Sequence, residues 1–158
     1  MSSKEQQVVN RKFILFTEQI SKILGIKAPN IIVDESQMTT KTQLAATMVG
    51  GIVMRNNDFT PDSAFALAHE LRHVWQIALH EKEYFKNDYL RVGSVNVQDY
   101  NMQKAEIDAN AFAAIIMNAM FGVSPMFKGL SAKVKTQIEN RIHEIEDDVF
   151  KRIEQLES

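Results

Sequence analysis

The run His69-Glu70-Leu71-Arg72-His73 constrains this chain more than any other part of it. Residues four apart share a helix face, so two imidazoles at this spacing can aim one ring nitrogen each at a single point and hold a metal ion there at ~2.0–2.1 Å. Glu70 then projects toward the same cavity but beyond direct coordination, placed to take a proton from a metal-bound water. A string of this kind arises by chance in roughly one chain in a few hundred of this length, so its surroundings decide its meaning. The motif demands a helix, and Thr60-Pro61-Asp62-Ser63 supplies the start: a capping hydroxyl, a proline at the first helical position, then an acid in the first turn. The pattern predicts a helix over 61–80, with Leu67, Leu71, Val74 and Ala78 as its apolar stripe. The competing reading is a surface helix whose two histidines pair with carboxylates.

A catalytic zinc keeps three protein ligands and one position for water, so one more donor must come from elsewhere. The metzincin continuation HExxHxxGxxH is closed, because its glycine and third histidine positions hold Gln76 and Leu79. His80 comes one residue late, on a helix that nothing in the sequence breaks, and reads as a rim or packing residue. The other route is a carboxylate from a second helix. Residues 102–121 supply it, rich in alanine and stopped by Gly122. Glu106 and Asn110 share one face there, while Asp108 lies about 160° around the helix from Asn110. Glu106 is the preferred third donor and Asp108 the alternative; a solvated acidic face is the competing reading. Ala109, Ala113 and Ala114 permit the close approach that Glu106 needs. Asn110 is placed to hydrogen-bond the outer nitrogen of a ligand histidine.

The strings AFALAHELRHVWQ and AEIDANAFAA, in this order over roughly residues 60–120, resemble the short gluzincin-type metallopeptidases of the ImmA/IrrE kind, often carried by phages and mobile elements. The resemblance implies His69, His73 and Glu106 as zinc ligands, Glu70 as catalytic base and Asn110 as a residue supporting the site. It also implies a sheet strand bordering the cleft and pairing with extended substrate, a role that falls to Ala45–Val49. Members of that family are associated with cleaving specific protein partners, notably transcriptional repressors.

Elsewhere the chain reads as one domain. Its 158 residues, 45% hydrophobic and 24% charged, are enough for a sizeable core. An amphipathic helix is expected over 4–24, burying Phe13, Phe16, Ile20, Ile23 and Leu24 and stopped by Gly25. A small sheet is expected over 31–56: Ile31-Ile32-Val33, then two β-compatible runs joined by Gly50-Gly51, either a hairpin or one bulged strand. A long helix over 131–156 carries Val134, Ile138, Ile142, Ile145, Val149 and Ile153 at helical spacing, for the core or for a dimer. The fold class is therefore α+β, a mostly helical minimal zincin-like domain with a small antiparallel or mixed sheet beside the HExxH helix.

The formal charge of −2 gives no overall attraction for nucleic acid, and Lys128, Lys133 and Lys135 read as solvated surface. No apolar run is long enough to cross a bilayer, and charged residues interrupt the N-terminal stretch. The absence of cysteine excludes disulfides and thiolate ligands and fits a cytoplasmic setting. The expected function is hydrolysis of a peptide bond in a protein or peptide substrate, with Zn²⁺ as cofactor, although a His₂-carboxylate set also accepts iron, manganese or cobalt. Tyr84, Tyr89, Tyr100, His80 and His143 are the candidates for a second donor to the oxyanion, Tyr100 first because it lies nearest Glu106 in sequence. Two other readings stay open: a zincin-fold binding module with a structural or vestigial metal, and an amidase acting on peptidoglycan or a small amide.

Overall fold

In the computed structural model, which describes residues 8–85 and 96–157 with the side chains of 97 and 98 left aside, the described residues form five helices and one three-stranded sheet. The order is α1 (Arg11–Leu24), β1 (Asn30–Val33), a 3-10 turn (Glu35–Gln37), β2 (Ala45–Met48), β3 (Gly51–Met54), α2 (Pro61–Tyr84), α3 (Val97–Asn101), α4 (Lys104–Phe121) and α5 (Ala132–Glu157). This is the mostly helical α+β arrangement that the sequence predicts.

Helix α1 begins later than expected. Asn10 caps it by accepting from the Lys12 amide, and the same residue donates two hydrogen bonds to Asn57, from its backbone amide to Oδ1 at 2.8 Å and from its side-chain amide to the carbonyl at 2.9 Å. That tie turns the chain at Asn10, so Val8 and Val9 precede the helix; the expected start at Lys4 lies outside the described residues. The end is as expected, with Gly25 at φ 73° in the left-handed region. All five predicted apolar residues of α1 are buried, against Ile52 and Met54 of β3, Leu67 and Leu71 of α2, and Phe112 and Ile116 of α4.

The sheet is mixed. β3 lies in the middle, parallel to β1 and antiparallel to β2, which leaves β2 as an edge strand packed beside α2. Of the two expected forms the hairpin is the one present, its turn at Val49-Gly50, where Gly50 has φ 87°. Gly51 serves a different purpose. It opposes Asn30 in the parallel pair, and a Cβ at this position would run into the Asn30 backbone carbonyl.

Helices α2 and α4 pack along each other through small residues, with Ala64, Ala68, Ala105, Ala109 and Ala113 all buried. The buried side of α2 departs from the predicted stripe. Ala78 is exposed and Val74 only half-buried, while Arg72 and Gln76 are buried, because α4 meets this part of α2 with a polar partner. The helix also changes direction at His80 (φ −141°, ψ 33°) before a last turn to Tyr84, contrary to the unbroken helix expected there. The stripe on α5 goes to the molecule's own core: Val134, Ile138 and Val149 are buried, and Ile142, Ile145 and Ile153 pack against them in part.

No described helix is long and apolar enough to cross a membrane. Replacing Gly51 with alanine is expected to force β1 from β3 and cost about 1–3 kcal/mol, the usual range for an overpacked site. Urea unfolding of the Gly51→Ala chain beside the parent measures it.

Candidate metal centre

The Thr60 side chain accepts from the Ser63 amide at 3.1 Å and Ser63 returns the bond to the Thr60 amide at 2.7 Å, a reciprocal cap that fixes where α2 starts and so which residues face α4. His69 and His73 then lie on the α4 side, one turn apart, their rings 4.7 Å apart and almost perpendicular. Their Nε2 atoms are 3.1 Å from each other. Glu106, in the first turn of α4 and only 2% exposed, brings Oε1 to 3.1 Å from His69 Nε2 and Oε2 to 2.9 Å from His73 Nε2.

These separations suit a shared ion. A tetrahedral metal with ligands at ~2.0–2.1 Å holds its donor atoms about 3.3–3.4 Å apart, so the three groups need spread by only a few tenths of an ångström. His69, Glu70 and His73 also offer ligand atoms within 4.8 Å of one another, and this group could hold a metal ion. Glu70 is the more distant of the two carboxylates, its Oε2 3.9 Å from His69 Nε2.

Both imidazoles are held by the nitrogen that faces away from the centre. His69 Nδ1 lies 2.8 Å from Asn110 Oδ1, the role expected of Asn110. His73 Nδ1 lies 2.8 Å from Gln76 Oε1. The Gln76 amide orientation follows from its surroundings, since its nitrogen donates to Ala105 O at 3.0 Å and to Asp108 Oδ2 at 2.8 Å, leaving only its oxygen for the histidine. With Nδ1–H donated in each ring, Nε2 is the nitrogen left to face the centre, and it offers a metal its lone pair once any proton it carries has left.

Asp108 is not at the centre. Fully buried, it takes two hydrogen bonds from Arg72, at 2.7 and 3.0 Å, and one from Arg141 of α5 at 2.9 Å. Arg72 in turn stacks on Trp75, 3.7 Å from its centroid. Burial alone would raise the Asp108 carboxyl, but the two guanidiniums and Gln76 hold it below the usual value. Neither this lattice nor the orientation of the Gln76 amide was legible, because the partners that fix them are 29 to 57 residues apart.

The other residues singled out in the sequence fall as follows. Tyr84 is buried in the lattice, its hydroxyl accepting from Arg141 at 2.8 Å. His80 packs on Trp75, ring centroids 4.4 Å apart, and His143 stands exposed on α5 beside Glu146. Tyr100 is half-buried on α3, just before α4, and Tyr89 lies outside the described residues. One contact was missed: Thr47 of β2 donates to Glu70 Oε1 at 2.7 Å, so the edge strand touches the carboxylate next to the histidines. Comparison of the chain with family models, with curated proteins and with solved structures finds no match.

Electrostatics tie the centre together without an ion. Burial by itself lowers the His73 value, but the Glu106 carboxylate, with smaller contributions from Glu70 and Gln76, raises it to about 9. Burial works the other way on Glu106, yet the two histidines hold it well below its ordinary value. A metal must therefore displace a proton from His73 at any pH below about 9. Lowering the pH from 9 toward 7 is expected to weaken metal binding about tenfold per unit, with release of one proton. Competition against a chromophoric chelator at each pH checks the slope. Replacing Gln76 with methionine leaves His73 Nδ1 without its acceptor and is expected to weaken the metal about 10–100-fold in the same assay.

Proposed function

We propose that this chain is a zinc-dependent metallopeptidase in which His69, His73 and Glu106 hold the ion and Glu70 is the general base. The observation that carries the reading is the meeting of three donors from two helices, both Nε2 atoms within 3.1 Å of one buried carboxylate, with a second carboxylate beside them that is not needed as a ligand. Two imidazoles and one carboxylate are the ligand set of several zinc peptidases, and the ImmA/IrrE-like resemblance of the two helices points to the same assignment.

Bound here, zinc would supply Lewis acidity, activating water and polarising the scissile carbonyl. The chain's own residues do the rest. Glu70 is held through Oε1 by Thr47, which leaves Oε2, on the histidine side, to accept a proton from the attacking water and return it to the leaving nitrogen. Asn110 and Gln76 keep the two rings fixed while charge changes around them. β2, an edge strand among the described residues, lies next to Glu70, where an extended peptide could pair with it. Tyr100 is the proposed donor to the oxyanion.

A purely structural metal would fill its fourth position with another protein ligand and would have no use for a tethered base. Exchanging Glu70 for glutamine separates the two readings. The zinc-loaded Glu70→Gln chain is expected to retain its metal and lose about 10²–10⁴-fold in hydrolysis of a peptide library read by mass spectrometry. Identical products from parent and variant, at equal rates, would reject the peptidase.

A further inference from the structure

The two edges of the described sheet are not alike. β2 lies beside α2 and is tied to Glu70 through Thr47, whereas β1, at the opposite edge, runs Asn30-Ile31-Ile32-Val33 with no charged residue in it. Edge strands are usually guarded by charged side chains, proline or a covering element, because an open ladder recruits another strand. Around β1 such guards stand only at the ends, at Pro29 and at the 3-10 turn that begins with Glu35.

The direction of the open groups follows from the pairing with β3. The Asp34 amide donates to the Met54 carbonyl at 2.9 Å, and backbone groups alternate along a strand, so Asn30 and Ile32 also turn theirs toward β3. Those of Ile31 and Val33 therefore point away from the sheet, and among the described residues no hydrogen bond engages them. Side chains alternate as well: Ile31 and Val33 pack on the core, while Asn30 and Ile32 face outward, Ile32 being 38% exposed.

One register suits this edge to a copy of itself. With a twofold axis at Ile32, antiparallel pairing lets the amide and carbonyl of Ile31 bond to those of Val33 in the second copy, and the reverse. Ile32 then opposes Ile32 in the pair type whose Cα atoms come closest, ~4.5 Å apart, Ile31 opposes Val33, and the Asn30 amide opposes the Asp34 carboxylate. The flanks match in charge, since Lys27 before the strand comes to the side where Asp34 and Glu35 follow it in the other copy. A parallel pair would set Asp34 against Asp34. Pro29, without an N–H, and the 3-10 turn close the ladder at its two ends, so sliding the strands loses bonds.

We propose that β1 is the contact edge of a homodimer, in which antiparallel β1–β1 pairing joins the sheets of two copies into one. β2, with Glu70 beside it, stays at both outer edges, and the dimer does not depend on the peptidase reading.

The chain has no cysteine, so one introduced thiol reports the contact. Under mild oxidation Ile32→Cys is expected to form a disulfide-linked dimer about tenfold faster than Met48→Cys, a position on β2 that is similarly exposed at 43%, because pairing concentrates the thiols and holds their Cα atoms within the ~4.4–6.8 Å that a disulfide spans. In sedimentation equilibrium at up to about 1 mM the parent is expected to approach twice the mass of one chain, and Ile32→Lys, which sets like charges directly opposite, to return it to the single chain. Circular dichroism confirms that each variant is folded; if Ile32→Lys is not, the two cross-linking rates decide. A parent that stays a single chain throughout, equal cross-linking at the two positions, or a dimer that survives Ile32→Lys would each overturn the proposal, the last by placing the contact on another face.

Discussion

A carboxylate taken out of water keeps its charge only if donors or cations face it, and Glu106, 2% exposed in the first turn of α4, is in that position. What faces it is a pair of imidazoles from α2, one to each oxygen. Most of the architecture can be read as the means of keeping that juxtaposition. The alanines of both helices set the distance between them, the Thr60–Ser63 cap sets the rotation of α2, and the proton that His73 holds up to about pH 9 balances the charge when no metal does. A metal ion would replace that proton with a stronger and more directional partner.

The Asp108 lattice sits directly behind this arrangement. A buried ion pair gains little net stability, since desolvation offsets most of the attraction, but losing one partner costs about 3–5 kcal/mol. Arg72 of α2, Asp108 of α4 and Arg141 of α5 therefore behave as a registration device: any slide of one helix along another strands a charge. Gln76 carries that registration to the metal side, because the same amide group binds Asp108, Ala105 and His73. Packing of the alanine faces alone would tolerate small slips; the ion-pair geometry does not.

Periodicity and local signals carry as far as the elements and the metal-site residues on them. The cap at Thr60, the stops at Gly25 and Gly122 and the apolar faces of α1 and α5 are written in neighbouring residues, so they could be read without the fold. The choice of Glu106 over Asp108 followed from helix geometry alone, and the structure separates the two carboxylates in that way. What escaped depends on distant partners. Asn10 sets the start of α1 because it donates two hydrogen bonds to Asn57, 47 residues away, and Gln76 looks like a failed metzincin glycine until Asp108 and Ala105 are beside it; His80, packed on Trp75, takes the rim or packing role read from the sequence.

The contrast between the two glutamates bears most directly on chemistry. Glu106 is buried and engages both imidazoles, which suits the ligand role proposed for it. Glu70 is more open, 15% exposed, further from the nearest ring nitrogen, and fixed by Thr47 through one oxygen only. A carboxylate that served only the fold would gain by satisfying both oxygens within the protein. Holding one oxygen and leaving the other on the side of the histidines fits a group whose task is to exchange a proton with something that arrives from outside. The tether comes from a strand at the edge of the described sheet, so in the proposed peptidase the strand that a peptide could pair with would also orient the base. In the proposed peptidase, binding along β2 and proton transfer at Glu70 would be linked through one threonine hydroxyl.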